Sequence, residues 1–380
     1  MCGDRQREDR SGPVQRGDAG DTGGDLYESI YVRDHWGELT ECPWWYAREP
    51  DIERQLAWRK DVIAKTGQDW YDHPRGYSRQ DRQHLLIEGR DDEAILLDRR
   101  TGKAEKLSRP RVAGWTAVHG LQSHHPAQLA DTPEAIDLAV AAMPKRLGTP
   151  GEGWDDLAEE MLRQFGDDYY PVYWDLTSPC TDLYDIWGYS GMMEMLVSQP
   201  ELAHYAMKLL LERAIKEARE AAELGAAGVW LQEYFTDQIR PQTFRAMSYP
   251  YVAALIEEAR GLGLAVFYYF CGDPAGKWDL LFDLQPDALG LEESKKGFEI
   301  DIEEVVERAR GRCALLGNLD AIELLPHASE PALRAEIARQ IKAGRRNGSR
   351  FILSLGSPVT PGTSVERVRL YCDLVHEISS

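Results

Sequence analysis

The stretch Gly263–Pro274, GLAVFYYFCGDP, constrains the fold of this chain more than any other. It contains an uninterrupted apolar and aromatic run from Leu264 to Phe270 and then a polar turn. Such a run predicts a strand buried on both faces, as in a parallel sheet covered by helices. Residues just past the carboxyl end of such a strand line the mouth of a parallel α/β barrel. The alternative is a packing element in which Cys271 is one more small buried hydrophobe.

Apolar runs alternate with helical segments from about residue 115 onward, which predicts a parallel sheet. The glycine-rich fingerprints of dinucleotide-binding and P-loop folds, G-x-G-x-x-G and G-x-x-x-x-G-K-[ST], do not occur. We therefore predict an α/β fold, a TIM-type (β/α)8 barrel, with one strand not located. The predicted strands cover residues 116–122, 168–176, 228–233, 264–270, 287–293, 313–320 and 351–357. The predicted helices begin at Thr132–Pro133 and cover 182–197, 200–224, a segment interrupted near Pro250, 301–310, 330–345 and 363–378.

Three regions follow from composition. Residues 1–25 are polar and rich in Gly and charge, and we expect a disordered tail. Residues 26–114 are rich in tryptophan and contain a predicted β-meander in HLLIEGR, DDEAILLDRR and TGKAEKL. This small sheet either closes one end of the barrel or forms a lid over its mouth. Residues 115–380 form the predicted barrel.

Composition also excludes several classes of protein. The net charge of −20, with acids interleaved among the arginines, argues against nucleic-acid binding. No apolar run approaches the ~20 residues that span a bilayer. The six cysteines lack C-x-x-C spacing, which argues against a zinc finger and a disulfide framework. We expect a soluble, cytoplasmic protein with reduced thiols and a small-molecule substrate.

Polar residues follow the predicted strands where a barrel would carry its active site. We predict catalytic roles for Glu233, Tyr269, Cys271 and Asp273. Strand alternation turns only one of Glu292 and Glu293 inward. The residues predicted to contact substrate are Trp174, Tyr234, Glu293, Asn318, Asp320 and Ser357.

Two of these assignments have alternatives. Asp320 either faces the pocket or caps the helix that follows it. Three histidines lie in or near the strand predicted over 116–122: His119, His124 and His125. Such a group is more typical of a surface or a cap than of a metal site.

The order of FYYFCGDP, DALGLEE, CALLGNLDAIELL and FILSLGSPVTPGTSVERVRLY resembles the uroporphyrinogen decarboxylase superfamily, over residues 115 to 380. The resemblance implies a TIM-type barrel and a cytoplasmic enzyme. That superfamily includes porphyrin decarboxylases and cobalamin-linked methyltransferases. The arginine-rich R-Q-A-G-R motif of the decarboxylases has no equivalent in residues 26–110, and Gly356–Ser357 stands where they have Gly-His. Both departures argue against a porphyrin decarboxylase.

The methyltransferase branch implies a zinc site built from H-x-C-G and a later cysteine. Here Tyr269 replaces the histidine and Ser357 replaces the second cysteine, so that Cys271 and Glu233 are the remaining candidate ligands for zinc. Two ligands are fewer than the three or four that zinc sites use.

The resemblance predicts a methyltransferase acting on a small substrate or a corrinoid-bound methyl group, with zinc and cobalamin as candidate cofactors and a corrinoid protein as candidate partner. The alternatives are a decarboxylase or lyase acting on a carboxylated substrate, and a ligand-binding barrel that has lost its catalytic motif.

Overall fold

Parallel strands form the centre of the fold. The computed structural model describes residues 22–23, 28–90, 93–112, 126, 129–143, 151–294 and 297–379. Eight strands form one parallel sheet in the order β1-β11-β10-β9-β8-β7-β6-β2. The strands are β1 (Thr22–Gly23), β2 (Trp70–Asp72), β3 (Leu85–Arg90), β4 (Glu93–Asp98), β5 (Lys103–Leu107), β6 (Tyr170–Thr177), β7 (Gly228–Glu233), β8 (Ala265–Phe270), β9 (Ala288–Leu291), β10 (Ala314–Leu316) and β11 (Phe351–Leu353).

Helices follow the sheet strands in the rhythm predicted from the sequence. In the described chain they are α1 (Glu28–Leu39), α2 (Ile52–Thr66), α3 (Arg79–His84), α4 (Pro133–Ala142), α5 (Asp156–Phe165), α6 (Pro179–Ser198), α7 (Pro200–Glu223), α8 (Pro241–Met247), α9 (Tyr249–Gly261), α10 (Trp278–Asp283), α11 (Ile302–Ala309), α12 (Leu324–His327), α13 (Glu330–Arg346) and α14 (Val365–Ser379). Thr132 caps α4 by accepting from the backbone N–H of Ala135, as its Thr-Pro-Glu start predicts. The α/β barrel prediction is confirmed.

The central strands lie where the apolar runs predict them. β7 coincides with the predicted range, and β8 begins one residue after the predicted start. Their six residues pair in parallel without interruption, from Gly228 opposite Ala265 to Glu233 opposite Phe270. The predicted β-meander is also confirmed: β3, β4 and β5 form a separate antiparallel sheet. Gly89 in this sheet lies directly against the Trp45 ring, where a Cβ would be 2.3 Å from a ring carbon.

Two sheet strands come from segments in which the sequence indicated none. β2 pairs with β6 through Trp70 and Tyr170, and β1 pairs with β11. Strands of two or three residues are too short to show a periodic pattern. Glu28, at the start of α1, accepts hydrogen bonds from Gln68 Nε2 (2.6 Å) and Asp72 N (3.4 Å), which ties α1 to β2.

Aromatic side chains fill the inside of the sheet, where branched aliphatic residues are usual. Trp230 stacks on Tyr269, with ring centroids 5.4 Å apart. Trp70 makes edge contacts with Trp174, Trp230 and Phe267 at 5.9, 6.2 and 5.0 Å. The N-terminal region therefore supplies a ring at the centre of the barrel.

Some predictions concern residues outside the described ranges. These are the strand over 116–122, the residues His119, His124 and His125, and most of the tail over 1–25. In the described chain, no helix is both long enough and apolar enough to span a bilayer.

Replacing Trp70 with Ala tests whether β2 belongs to the barrel. We expect the free energy of unfolding to fall by about 3–5 kcal/mol, because a buried indole that contacts three other rings leaves a cavity. Urea denaturation measures this change. The control is Val197→Ala on the exposed face of α6, which should change stability little. A loss below about 1 kcal/mol for Trp70→Ala would contradict the assignment.

Candidate functional site

Alternation along β8 sends its side chains to opposite sides of the sheet. Val266, Tyr268 and Phe270 pack into the core between the sheet and the helices. Phe267, Tyr269 and Cys271 instead belong to the interior aromatic cluster. Two of the predicted catalytic residues, Tyr269 and Cys271, therefore face the interior, as the continuous apolar run predicts for a strand buried on both faces.

The predicted residues Trp174 and Tyr234 belong to the same interior cluster, where both are half-buried. The Trp174 ring lies 4.5 Å from that of Trp230. Gln232 Nε2 donates to the Trp174 carbonyl (2.7 Å), and Tyr234 Oη donates to Gln232 Oε1. Gln232 thus links the Tyr234 phenol to the backbone of β6 at Trp174.

A carboxylate contacts the thiol at the end of β8. Cys271 Sγ donates to Glu292 Oε1 at 3.4 Å, and the backbone N–H of Gly272 donates to Glu292 Oε2 at 3.1 Å. Glu292 follows β9 and is buried. It is therefore Glu292, and not the predicted Glu293, that lies beside Cys271.

A second acid, Asp237, packs against the turn after β8. Gly272 has a φ of 100°, and a Cβ there would lie 2.4 Å from Asp237 Cγ, so only glycine fits. Burial raises the pKa of Asp237, and the Glu292 charge raises it further, whereas Lys277 lowers it. Lys277 is itself buried and donates to the Asp237 carbonyl at 3.0 Å. Burial lowers the Lys277 pKa, which its acidic neighbours partly offset.

The Tyr269 phenol already has a partner. Its hydroxyl donates to the Gly356 carbonyl at 2.9 Å, and its ring lies on Trp230. This hydrogen bond joins β8 to the turn after β11. Ser357, in the same turn, is buried. The tyrosine that stands in place of the motif's histidine thus links the end of β8 to the turn after β11.

Glu233 does not lie with Cys271. Its side chain is fully buried on the opposite side of the sheet, where Ser248 Oγ donates to both carboxylate oxygens (3.1 Å each) and Tyr268 Oη donates to Oε2 (3.1 Å). Burial raises the pKa of Glu233 to about 7, although hydrogen bonds from Ser178 and Ser248 lower it. The prediction that Glu233 joins Cys271 as catalyst or zinc ligand is therefore wrong, because strand alternation turns it toward the helices.

Three further predicted residues hold turns together. Asp320 Oδ1 accepts from the N–H groups of Ile322 (2.8 Å) and Glu323 (2.9 Å), so it holds the turn before α12, whose N-cap is Glu323. Asp273 Oδ1 likewise accepts from Ala275 N (2.9 Å). Asn318 Nδ2 donates to the carbonyls of Glu292 (3.1 Å) and Ile300 (2.8 Å). Asn318 thereby fixes the backbone of the acid that contacts Cys271.

Glu293 lies against the turn after β11. Its side chain is buried, and a Cβ at Gly356 would be 2.4 Å from Glu293 Oε2. Glu293 therefore packs on the backbone whose carbonyl accepts from Tyr269.

The sequence missed several residues of this region: Asp237, Lys277, Trp230 and Trp70. The position of Trp230 could have been predicted from the sequence. It lies two residues before Gln232 and four before Tyr234, so strand alternation places all three on the same side of β7. The other three lie in short segments whose position depends on contacts far away in the chain.

A second group of acids lies at β2, separated from β8 in the sheet by β6 and β7. Burial raises the pKa of Asp72 well above its ordinary value, and the charges of Asp175 and Glu28 raise it further, whereas Arg59 lowers it. Strand alternation places Asp72 on the same side as Trp70, which faces the interior. Asp72 therefore adds a carboxyl group with a raised pKa to the interior-facing groups.

The residues near Cys271 do not fit a zinc ion. Within the described ranges, no group of three or more His, Cys, Asp and Glu side chains is placed to hold a metal. Glu233 is on the other side of the sheet, and the Tyr269 phenol is bonded to Gly356. Zinc sites use three or four ligands, and Cys271 with Glu292 supplies two.

The comparisons with known proteins agree with this barrel. The model of the uroporphyrinogen decarboxylase (URO-D) family matches residues 158–378, more than half of the chain. The chain belongs to this family. The match begins in α5 and continues into α14, and so includes β6 to β11 and the turns that carry Cys271 and Glu292.

The similar proteins include relatives named uroporphyrinogen decarboxylase and a solved structure named as a methyltransferase. Uroporphyrinogen decarboxylases of Cellvibrio japonicus and Anaeromyxobacter sp. are 31% and 28% identical, over 49% and 50% of this chain. The chain spans about half the length of these curated relatives, 51% and 52%. A solved methyltransferase from Methanosarcina mazei has a TM-score of 0.60 and 16% identity, over 95% of this chain and 93% of that one. At this identity the likeness concerns the fold.

The raised pKa of Glu233 predicts a pH-dependent stability. The folded-state pKa of about 7 exceeds the unfolded value of 4.5, so the folded state binds more protons between these values. The contribution of Glu233 to the free energy of unfolding is fully present below pH 4.5. It falls by about 3 kcal/mol as the pH rises through about 7.

Urea denaturation from pH 5 to pH 8 measures this loss. Glu233→Gln should reduce the decline by about this amount, because an amide does not titrate. The exposed Glu201→Gln on α7 is the matched control and should keep the wild-type pH profile. A Glu233→Gln profile parallel to that of the wild type would contradict the assignment.

Proposed function

We propose that this protein is a methyltransferase that moves a methyl group from a small donor or a methylated corrinoid protein to an acceptor bound at the barrel mouth. The observation that carries the proposal is the contact of Cys271 Sγ with Glu292 Oε1 beside the aromatic interior. It puts a soft thiol and a proton acceptor at one strand end, next to apolar rings that suit a methyl group.

Glu292 is the general base in this proposal. The acceptor X–H attacks the methyl carbon, the X–C bond forms as the bond from the methyl carbon to its donor breaks, and the donor keeps that electron pair. The X–H proton passes to the Glu292 carboxylate. Hydrogen bonds from Cys271 Sγ and Gly272 N hold this carboxylate in place, and the carbonyl of the same residue accepts from Asn318. No step requires a zinc ion.

The charge around Cys271 bears on the substrate. Glu292, Asp237 and Asp273 lie at this strand end, and Lys277 is the nearby cation that interacts with Asp237 and Asp273. A polycarboxylate would meet net repulsion there. A neutral or cationic methyl donor is the better match, and the half-buried rings of Trp174 and Tyr234 can contact either.

Replacing Glu292 with Gln tests the proposed base. We expect kcat for methyl transfer from methylcobalamin to a thiol to fall by about 100-fold or more, because the amide cannot take up a proton. The change in corrin absorption follows the reaction. Cys271→Ala should also lower kcat, because it removes a hydrogen bond that positions the base.

Glu233→Gln is the matched control. This acid is also buried at a strand end, that of β7, but it lies on the other side of the sheet. It should keep wild-type turnover at pH 6, where the wild-type acid is mostly protonated. If Glu233→Gln abolished transfer while Glu292→Gln retained it, the proposed base would be wrong.

Decarboxylation of a carboxylated substrate is the second candidate. The relatives named uroporphyrinogen decarboxylase suggest it, and Asp237, with its raised pKa, would supply a proton to the carbanion that loss of CO₂ leaves. Release of CO₂ from a carboxylated substrate other than a porphyrin, with no change in corrin absorption when methylcobalamin and a thiol are added, would favour this candidate over methyl transfer.

A further inference from the structure

A groove rich in arginine lies in the helical layer, on residues that the proposed reaction does not use. It encloses about 890 Å³ between α8, α10 and the segment that follows α11. Four arginines line it: Arg245, Arg308, Arg310 and Arg312. We call this the arginine groove. In a chain of net charge −20, four converging guanidinium groups are an unusual local concentration of positive charge.

Two of the four arginines are held by neighbours. Arg312 pairs with Asp283 (3.2 Å) and lies 4.6 Å from the centre of the Phe282 ring. Arg308 lies 5.3 Å from the centre of the Trp278 ring and 3.8 Å from a Glu304 oxygen. These contacts make one wall of the groove rigid, with its charge partly neutralised.

The other two arginines line the groove without an ion pair, and Asp279, an acid that also lines it, pairs with Arg312 (3.6 Å). Arg245 is on α8 and Arg310 follows α11, so they belong to different walls. Both are exposed, and neither side chain has an ion pair or hydrogen bond within the described ranges. Like charges that converge on one cavity repel, and an anion between them relieves the repulsion.

We propose that the arginine groove binds a small phosphorylated molecule with at least two phosphoryl groups. Arginine presents a planar fork that matches phosphate oxygens in a bidentate fashion. Two unpaired guanidinium groups on separate walls fit two phosphoryl groups better than one, and the volume suits a ligand of that size. The Trp278 ring is already stacked with Phe282, 6.1 Å away, so recognition depends on the phosphates and not on a base.

Isothermal titration of the full chain with inorganic tripolyphosphate at low ionic strength tests the proposal. We expect saturable binding that weakens as salt is added. The double variant Arg245→Ala/Arg310→Ala should bind about ten-fold more weakly or worse, since it removes both unpaired charges. The double variant Arg245→Lys/Arg310→Lys should recover part of this loss, since it restores charge without the planar fork.

Arg99→Ala is the matched control. Arg99 is exposed and lies in the turn between β4 and β5, with no ion pair from its side chain within the described part of the chain. It should bind tripolyphosphate as the wild type does. Thermal unfolding without ligand should show that all variants are folded, because the exchanged side chains are exposed. No saturable binding by the wild type, equal binding by the alanine double variant, or an equal loss in Arg99→Ala would overturn the proposal.

Discussion

The two-sided burial of β8 is the constraint on which the rest of the structure depends. A parallel strand with helices on one side and a filled barrel on the other has no solvent-facing side, so each side chain belongs to one of two packed environments. Tyr268 contributes its phenol to the helix side and Tyr269 to the barrel side. β7 pairs with β8 through six residues without a bulge, so its side chains alternate in the same way. Glu233 therefore faces the helices, whereas Gln232 and Tyr234 face the barrel interior. A shift of one residue would exchange these environments.

The buried acids have different neighbours on the helix side and the barrel side of the sheet. On the helix side, Glu233 is surrounded by hydroxyl groups and has no cationic partner among the groups that shift its pKa, so burial favours its neutral form. On the barrel side, the acids near Cys271 have Lys277 close by and backbone N–H donors in their turns. The first arrangement stabilises packing at low pH. The second holds carboxylates at the strand ends, where the proposed reaction would use a proton acceptor. Positive charge gathers elsewhere, in the arginine groove outside the barrel.

The N-terminal region contributes more to the barrel than its composition indicated. Trp70 reaches the centre of the interior cluster, and Glu28 binds the backbone of β2. The predicted meander did form, because β3 to β5 are long enough to show alternation and are separated by turn residues. β2 was missed since three residues adopt a strand only through pairing with β6, a contact that spans about one hundred residues of sequence. The zinc hypothesis lacks ligands partly for a reason visible in the sequence, because Tyr269 and Ser357 occupy two of its positions, and partly because Glu233 faces the helices.

The sequence by itself determined the barrel class and the positions of β7, β8 and most helices. All of these follow from local periodicity and from the length of apolar runs, which a single segment carries. The tertiary structure alone decided that Glu292 meets the thiol while Glu293 packs on Gly356, that Asp320 holds a turn, and that Asp237 closes over Gly272. These residues lie beyond the ends of strands, where alternation no longer fixes direction. Their orientation is set by contacts between turns that are distant in the chain, and no local pattern encodes such contacts.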